Sequence, residues 1–177
     1  MIGVVAVDGG NSKVDLALVS ADGSLLAAVR GPTISHQALR GVAAAGVALQ
    51  RTVVAALAQA GLDAPTTGPL AQVAVLSVAG GDTARDVRRL RAGFGRLGLA
   101  QRLIIVSDAY GALRAGTDNG IGAVVICGTG SNMLAIGPTG RVAAYPALGE
   151  IAGDWGGGGS LGPAALAAAI RGRDGRG

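Results

Sequence analysis

Hydrophobic and polar residues are arranged along the chain in a pattern that predicts three strands and then alternating helices and strands. Apolar runs fill much of residues 2–30, and the turn dipeptide Asp22-Gly23 separates two of them. The predicted elements are strands over 2–7, 14–20 and 24–30, a helix over 36–61, a strand over 71–78, a helix over 83–97, a strand over 102–106 and a helix over 109–116. This order predicts an α/β domain with a mixed sheet and flanking helices.

The pattern of apolar runs and turns begins again after residue 119. It predicts strands over 121–127, 132–137 and 141–145, followed by a helix that begins at Pro163. The turn dipeptide Thr139-Gly140 lies at an offset similar to that of Asp22-Gly23. We therefore predict a duplicated domain, with one copy over 1–118 and a second over 119–177. A second copy of equal length needs about a hundred more residues, so we expect this copy to be incomplete.

Composition indicates a globular chain whose core is filled mainly by Ala, Val, Leu and Ile. Half of the 177 residues are hydrophobic, but only one Trp, one Phe and two Tyr are present. The net charge of +4 comes from arginines, which are densest in the predicted helix over 83–97. There, Val87, Leu90, Phe94 and Leu97 recur at helical spacing, which leaves the arginines on the other faces. A solvated helix face is favoured over a nucleic-acid patch, so no nucleic-acid partner is predicted.

Cysteine usage and hydropathy favour a cytoplasmic protein. The lone Cys127 excludes disulfide frameworks and cysteine-based zinc or iron–sulfur sites. The N-terminus lacks the basic segment of a signal peptide. The most apolar long stretch, 41–62, is interrupted by Gln50, Arg51 and Gln59 and is predicted to be a core helix rather than a membrane span.

The stretch DGGNSK, which follows the first predicted strand, is a candidate phosphate-binding loop. Glycine permits the close backbone approach that a phosphate needs, and Asp8 could hold Mg²⁺ through its carboxylate oxygens. The alternative is an ordinary hairpin turn, because Gly and Asn are also common hairpin residues. The residues assigned to this loop are Asp8, Gly9, Gly10, Asn11, Ser12 and Lys13.

A second loop with glycines and hydroxyl groups follows the strand over 121–127. It consists of Gly128, Thr129, Gly130 and Ser131. Two such loops at equivalent positions in a duplicated domain could face each other and bind a polyphosphate from both sides, as phosphoryl transfer requires. The pair is stronger support for a nucleotide site than either loop alone.

Three further side chains are candidates for chemistry. Asp108 follows a predicted strand, where a carboxylate can accept a proton from a substrate hydroxyl, although a helix N-cap explains it equally well. Asp154 lies in a glycine-rich turn and could contact a sugar hydroxyl or metal-bound water, or only stabilise the turn. His36, the only histidine, is assigned to a helix start or a substrate rim, since no Ser or Cys nucleophile is arranged for it.

Four segments together resemble the BadF/BadG/BcrA/BcrD ATPase family and, within it, the N-acetylglucosamine kinase-like branch of the actin/Hsp70/sugar kinase superfamily. They are VDGGNSKVDLALVSADG, VSDAYGALRAG, VVICGTGSNMLAIGPTGR and LGEIAGDWGGGGSLGPAALAAAIRGRDGRG. The resemblance implies a ribonuclease H-like fold, ATP and Mg²⁺ as cofactors, and transfer of a phosphoryl group to the 6-hydroxyl of an amino sugar. It also implies a small-molecule partner and leaves open a homodimer of the full-length form.

The resemblance assigns roles to individual residues. Asp108 matches the general base and Asp8 the residue associated with Mg²⁺, while Ser12 and Thr129 match positions of the two phosphate loops. The substrate positions are Ser35, His36, Asp108, Gly149 and Asp154. The sequence departs from the family pattern at Ser35, where Asn is frequent, and around Gly149 and Asp154, which bears on the choice of amino sugar.

Two hypotheses follow for the activity. The first is an ATP-dependent amino-sugar kinase, represented here by its N-terminal part, without the later loop that holds adenosine in the family. The second is a catalytically inactive remnant, or a regulatory or binding module of the same fold. The iron–sulfur branch of the family is disfavoured because Cys127 is the only cysteine.

Overall fold

The first of two structural units, Met1–Gly111, is built on a five-stranded mixed sheet. The structure is a computed structural model and describes residues 1–145, 147–149 and 152–176. The elements of this unit in chain order are β1 (Ile2–Gly9), β2 (Lys13–Ser20), β3 (Leu25–Pro32), α1 (Val42–Ala60), β4 (Ala71–Val78), α2 (Ala84–Phe94), a 3-10 turn (Gly95–Leu97), β5 (Ala100–Ser107) and the start of α3 (Asp108–Gly116).

The strands of this sheet lie in the order β3-β2-β1-β4-β5. β1, β2 and β3 pair antiparallel, whereas β4 pairs parallel with both β1 and β5. The carboxyl ends of β1, β3, β4 and β5 therefore lie at one edge of the sheet. This arrangement confirms the mixed sheet that the sequence predicted, and it gathers the segments that follow four strands along a single edge.

The core of the first unit is aliphatic, as the composition predicts. α1 contributes the buried side chains of Leu49, Val53 and Leu57, and α2 contributes Leu90 and Phe94. All five arginines of α2 and the following turn are exposed, which confirms the predicted amphipathic helix. Thr83 caps α2 by accepting a hydrogen bond from the backbone N–H of Asp86.

The predicted start of the long helix at residue 36 is wrong, because α1 begins at Val42. Residues 35–41 instead form a tight turn in which Gly41 N–H donates to the His36 carbonyl at 2.7 Å. Arg40 has a positive φ of 58° and Gly41 a φ of 149°, neither of which continues a helix. The C-terminal end is close to its predicted place, since Gly61 adopts the left-handed conformation that ends many helices.

Among the described residues, one helix, α1, is long and apolar enough to cross a membrane. Length and composition alone do not separate a membrane span from a core helix. One face of α1 packs against β2 and β3 in the core, in agreement with the core-helix interpretation. The cytoplasmic location remains a prediction.

The second unit, Ala112–Gly177, is built on a three-stranded antiparallel sheet. After the end of α3 it contains β6 (Gly122–Cys127), β7 (Ser131–Ile136), β8 (Val142–Ala144) and α4 (Gly158–Asp174). The order β6-β7-β8 repeats the antiparallel connection of β1, β2 and β3. The duplication and its predicted boundary after residue 118 remain predictions, and the two units divide within α3.

The predicted start of the last helix at Pro163 is also wrong, since α4 begins five residues earlier, at Gly158. The N–H groups of Gly158 and Gly159 donate to the carbonyls of Gly128 and Thr129 at 2.7 and 2.8 Å. These bonds satisfy donors that a helix start leaves without intrahelical partners. Glycine is a poor helix former, so sequence propensity did not indicate this first turn.

We expect Gly157→Ala to destabilise the second unit by about 1–3 kcal/mol. A Cβ at Gly157 would lie 2.6 Å from the Gly130 Cα and from the Thr129 carbonyl oxygen, both of which are backbone atoms. Gly162→Ala is the matched control, because a Cβ there meets nothing within 4 Å. Urea unfolding and amide exchange of residues 128–131 provide the measurement. Equal stability of the two variants would contradict this packing.

We expect Gly111→Ala to destabilise the first unit by about 1–3 kcal/mol, because α3 approaches β4 closely at this residue. The added Cβ would lie 2.5 Å from Ser77 Oγ and 2.7 Å from Ser77 Cβ. Gly116→Ala, in the same helix, has open space around its Cβ and serves as the control. Thermal unfolding followed by circular dichroism measures the difference. A loss of stability no larger than that of Gly116→Ala would show that α3 and β4 are not in close contact at Gly111.

Candidate functional site

The carboxyl edge of the first sheet carries acidic side chains from several elements. Asp8 lies near the end of β1 and is paired in register with Ser77 of β4. Asp108 follows β5 directly and is the first residue of α3. Asp82 lies in the connection between β4 and α2. The topology thus brings together carboxylates that are far apart in sequence, as expected at the strand ends of an α/β sheet.

The first candidate loop is a hairpin turn between β1 and β2. Gly10 N–H donates to the Lys13 carbonyl at 2.9 Å, and Gly9 pairs with Val14. Asn11, Ser12 and Lys13 are exposed. The backbone of this loop therefore has the hairpin conformation that was the alternative to a phosphate-binding loop. Its exposed residues remain accessible to a ligand.

The segment after β3 packs against this turn. Thr33 Oγ1 donates to the Gly10 carbonyl at 2.8 Å and accepts a hydrogen bond from Ser35 N–H at 3.0 Å. A Cβ at Gly9 would lie 2.8 Å from the Ile34 side chain, so glycine is required for this contact. Sequence reasoning missed Thr33. The Gly-Pro-Thr sequence that ends β3 and leads into the Ser35–His36 pair was the available signal.

The predicted substrate residues Ser35 and His36 are buried in the same segment, with 1% and 6% of their surfaces exposed. Ser35 Oγ accepts a weak hydrogen bond from Ala38 N–H at 3.4 Å. His36 packs against Gly80, whose φ is +75°, with Cε1 3.0 Å from the place of a Cβ. His36 Nδ1 is buried and has no hydrogen-bond partner among the described residues. A ligand group that donates a hydrogen bond would satisfy it.

The charges around Asp8 disfavour its ionised form. Desolvation raises the pKa of Asp8 above its ordinary value of 3.8, even though part of the side chain is exposed. The negative charges of Asp108 and Asp15 raise it further, and the Lys13 ammonium acts in the opposite direction. A carboxyl group whose pKa is raised by desolvation and by neighbouring negative charges is typical of sites that bind a cation or move a proton.

Lys13 itself forms an exposed ion pair with Asp15 on the neighbouring part of β2. Arg30 of β3 also binds Asp15, with its Nε 2.6 Å from one carboxylate oxygen. The Arg30 hydrogen bond, followed by that of Lys13, lowers the pKa of Asp15 to about 2. The predicted phosphate ligand Lys13 is thus engaged by a neighbouring carboxylate in this structure.

The base candidate Asp108 is close to a buried hydroxyl group and a second carboxylate. Ser107 Oγ lies 3.2 Å from Asp108 Oδ1 and 2.8 Å from Asp82 Oδ1. Sequence reasoning did not identify Asp82 or Ser107. Ser107 is adjacent to the predicted base, whereas the nearness of Asp82 depends on the β4–β5 pairing.

In the second unit, the loop Gly128–Ser131 rests on the N-terminal end of α4. Besides the two carbonyl contacts to α4, Gly128 N–H donates to the Gly130 carbonyl at 2.9 Å. Ser131 Oγ donates to the Trp155 carbonyl at 3.4 Å, and the Cys127 thiol to that of Gly156 at 3.2 Å. Gly128, Thr129 and Gly130 are exposed. The loop is therefore held from one side and is accessible on another.

The predicted substrate residues Gly149 and Asp154 are in direct contact. Gly149 N–H donates to Asp154 Oδ2, so the Asp154 side chain stabilises the backbone at Gly149. Asp154 is only 7% exposed, and its buried Oδ1 has no partner among the described residues. The Tyr145 hydroxyl donates to the Ala152 carbonyl at 3.0 Å, and the nearby Asp154 side chain raises the pKa of Tyr145. The free oxygen leaves Asp154 able to accept a hydrogen bond from a ligand.

Metal binding at the first unit would depend on few protein ligands. Within residues 1–145, 147–149 and 152–176 no group of three or more His, Cys, Asp or Glu side chains is placed to hold a metal ion. Mg²⁺ is commonly held by one or two carboxylates together with phosphate oxygens and water. Asp8 beside the charge of Asp108 fits that requirement, because a divalent cation would relieve their repulsion.

The model of the BadF/BadG/BcrA/BcrD ATPase family matches residues 5–177 of this chain. An N-acetylmuramic acid/N-acetylglucosamine kinase of Clostridium acetobutylicum is 29% identical over 175 residues, which are 98% of this chain and 55% of the relative. The chain thus spans about half the length of this relative.

Solved structures show the same fold. A structure described as a candidate N-acetylglucosamine kinase, from Chromobacterium violaceum, matches with a TM-score of 0.79 and 28% identity, over 99% of this chain and 59% of that one. A ROK family glucokinase from Streptomyces griseus, in complex with glucose and AMPPNP, matches with a TM-score of 0.52 and 19% identity, over 82% of this chain and 49% of that one. The chain belongs to the BadF/BadG/BcrA/BcrD ATPase family and has the ribonuclease H-like fold of the actin/Hsp70/sugar kinase superfamily.

Proposed function

We propose that this protein takes part in ATP-dependent phosphorylation of an amino sugar. The observation that carries the proposal is the placement of Asp108 beside Asp8 at the carboxyl edge of the first sheet, in a chain related over nearly its whole length to an amino-sugar kinase. N-acetylglucosamine and glucosamine are the substrates to test first, with phosphorylation at the 6-hydroxyl.

Asp108 is assigned the role of general base. Its carboxylate accepts the proton of the sugar hydroxyl while the hydroxyl oxygen attacks the γ-phosphorus of ATP in line with the leaving ADP oxygen. The loop Asp8–Lys13 of the first unit is assigned to the nucleotide phosphates, and the loop Gly128–Ser131 is a separate candidate phosphate-binding loop of the second unit. Asp8 would hold Mg²⁺, which when bound neutralises charge on the phosphates.

Residues with buried and unsatisfied polar atoms are assigned to the sugar. His36 Nδ1 and Asp154 Oδ1 each lack a partner in the described part of the chain, and each could bind a sugar hydroxyl or amide. Ser35 lies beside His36 in the first unit, and Gly149 donates a hydrogen bond to Asp154 in the second. Such orphaned groups are costly in a folded protein, so a bound ligand is a physical reason to keep them.

A second candidate is a non-catalytic binding module, which is favoured by exposed apolar side chains in the second unit. Val125 of β6 is 69% exposed, and Leu161 and Leu166 of α4 are 58% and 64% exposed. Exposed apolar surface of this kind marks sites of association. A phosphorylation assay separates the two candidates, because a binding module transfers no phosphoryl group.

We expect Asp108→Asn to reduce phosphoryl transfer to the amino sugar by about 10²–10⁴-fold, since amide nitrogen and oxygen cannot take up the hydroxyl proton. Transfer from γ-labelled ATP to N-acetylglucosamine or glucosamine is measured alongside nucleotide binding, which we expect to change little. Asp63→Asn, a change at an exposed carboxylate, is the matched control. Near-normal turnover of Asp108→Asn would refute the base assignment, and absence of turnover in the wild-type chain would refute the kinase.

We expect Asp8→Asn to raise the free energy of unfolding at neutral pH while weakening Mg²⁺-dependent nucleotide binding. The pKa of Asp8 is raised in the folded protein, so the ionised carboxylate disfavours folding above the unfolded value of 3.8. The gain should shrink as the pH falls through the raised pKa of Asp8 in the folded state and disappear well below 3.8, where both states hold the proton. Urea unfolding at a series of pH values measures it, again with Asp63→Asn as control. Destabilisation at neutral pH would contradict the charge repulsion.

A further inference from the structure

We propose that Asp82 is a positioning residue for Asp108 and acts through the hydroxyl group of Ser107. The inference rests on the proposed role of Asp108 as the base and adds two residues to that site. Ser107 ends β5, and only 8% of its surface is exposed. Its Oγ lies 2.8 Å from Asp82 Oδ1 and 3.2 Å from Asp108 Oδ1, so the hydroxyl lies between two carboxylates.

The hydrogen-bond capacity of serine lets this arrangement hold the base in both of its protonation states. A hydroxyl group has one proton to donate and two lone pairs that accept. Ser107 Oγ is placed as a donor to either carboxylate, at 2.8 Å from Asp82 and 3.2 Å from Asp108, so before the reaction its proton links the two. The Asp82–Ser107 contact thereby fixes Oγ next to the base.

The same arrangement suits the state that the base reaches during the reaction. When the sugar O–H bond breaks, its proton forms a new O–H bond on Asp108, and the hydroxyl oxygen bonds to phosphorus as the bond to ADP breaks. The carboxylic acid so formed can donate to Ser107 Oγ, which continues to donate to Asp82. Before that step, the same contact limits the rotamers of the Asp108 carboxylate.

The placement of Asp82 depends on a glycine turn pressed against the sheet edge. Gly80 has a positive φ of 75°, and Gly81 N–H donates to the Val78 carbonyl at 3.2 Å. A Cβ at Gly81 would lie 3.1 Å from that carbonyl oxygen and 3.3 Å from the Val106 carbonyl oxygen. The turn therefore follows the ends of β4 and β5 closely enough for Asp82 to reach Ser107.

Thr83, and not Asp82, is the cap residue of α2. Thr83 accepts from Asp86 N–H and donates to the Asp86 carboxylate. The Asp82 carboxylate lies 2.8 Å from Ser107 Oγ, beside the proposed base. Asp86 thus provides a matched control, since its loss loosens the helix start without touching Ser107.

The test measures the rotamer of the Asp108 side chain and does not depend on turnover. Three-bond Hα–Hβ couplings of Asp108 are measured in the 177-residue chain and in the variants Asp82→Ala, Asp82→Asn, Ser107→Ala and Asp86→Ala. We expect a single Asp108 rotamer in wild type, in Asp82→Asn, which keeps an acceptor, and in Asp86→Ala. We expect averaged couplings in Asp82→Ala and Ser107→Ala. An unchanged single rotamer in both of these would overturn the proposal.

Kinetics supply the second readout. We expect Asp82→Ala and Ser107→Ala to lower kcat for amino-sugar phosphorylation by about 10–100-fold with KM values changed less than about two-fold, since misplacement of a catalytic group affects the chemical step. Asp82→Asn should recover most of the loss. A raised KM with unchanged kcat would overturn positioning. If wild type transfers no phosphoryl group, the proposed function fails, while the couplings still decide whether Asp82 orients Asp108. Should Asp82→Ala not fold, Ser107→Ala alone decides.

Discussion

Parallel pairing of β4 with β1 and β5 is the constraint on which the candidate site of the first unit depends. It sets the carboxyl ends of these strands at one edge, so that Asp8, the turn carrying Asp82, and Asp108 meet although a hundred residues separate the first from the last. Because β3 runs in the same direction as β1, the segment with Ser35 and His36 joins the same edge. Parallel strands thus bring together functional side chains that a hairpin alone would leave far apart.

Close backbone approach, made possible by glycine, holds the loops of both units in place. Gly9 admits Ile34 beside the first loop, and Gly157 admits the backbone of the loop Gly128–Ser131. A protein with few aromatic residues has few large side chains to wedge loops apart or together. At Gly9 and Gly157, close contacts that a Cβ would block hold these loops in place.

Charged side chains are paired with opposite charges on β2 but lie near like charges at the carboxyl edge of the sheet. On β2, Asp15 is paired with Arg30 and Lys13, and this exposed cluster contributes little to stability because solvent screens it. At the sheet edge, Asp8 and Asp108 repel each other, and Asp82 adds a further carboxylate beside Ser107. Repulsion between like charges reduces stability, so the gathering of carboxylates at one edge supports a role in binding or catalysis.

The sequence by itself determined the strand and helix order, the aliphatic core and the amphipathic α2, because these depend on local periodicity. It also determined the family, since several short motifs occur in the right order. Only the tertiary structure decided that the helix predicted from residue 36 begins at Val42, where Arg40 and Gly41 take non-helical φ values. It likewise decided that α4 begins at Gly158, whose N–H group finds its partner in a loop thirty residues earlier. The nearness of Asp82 to Asp108 was also decided only by the tertiary structure, because strand pairing over long sequence distances leaves no local pattern in the sequence.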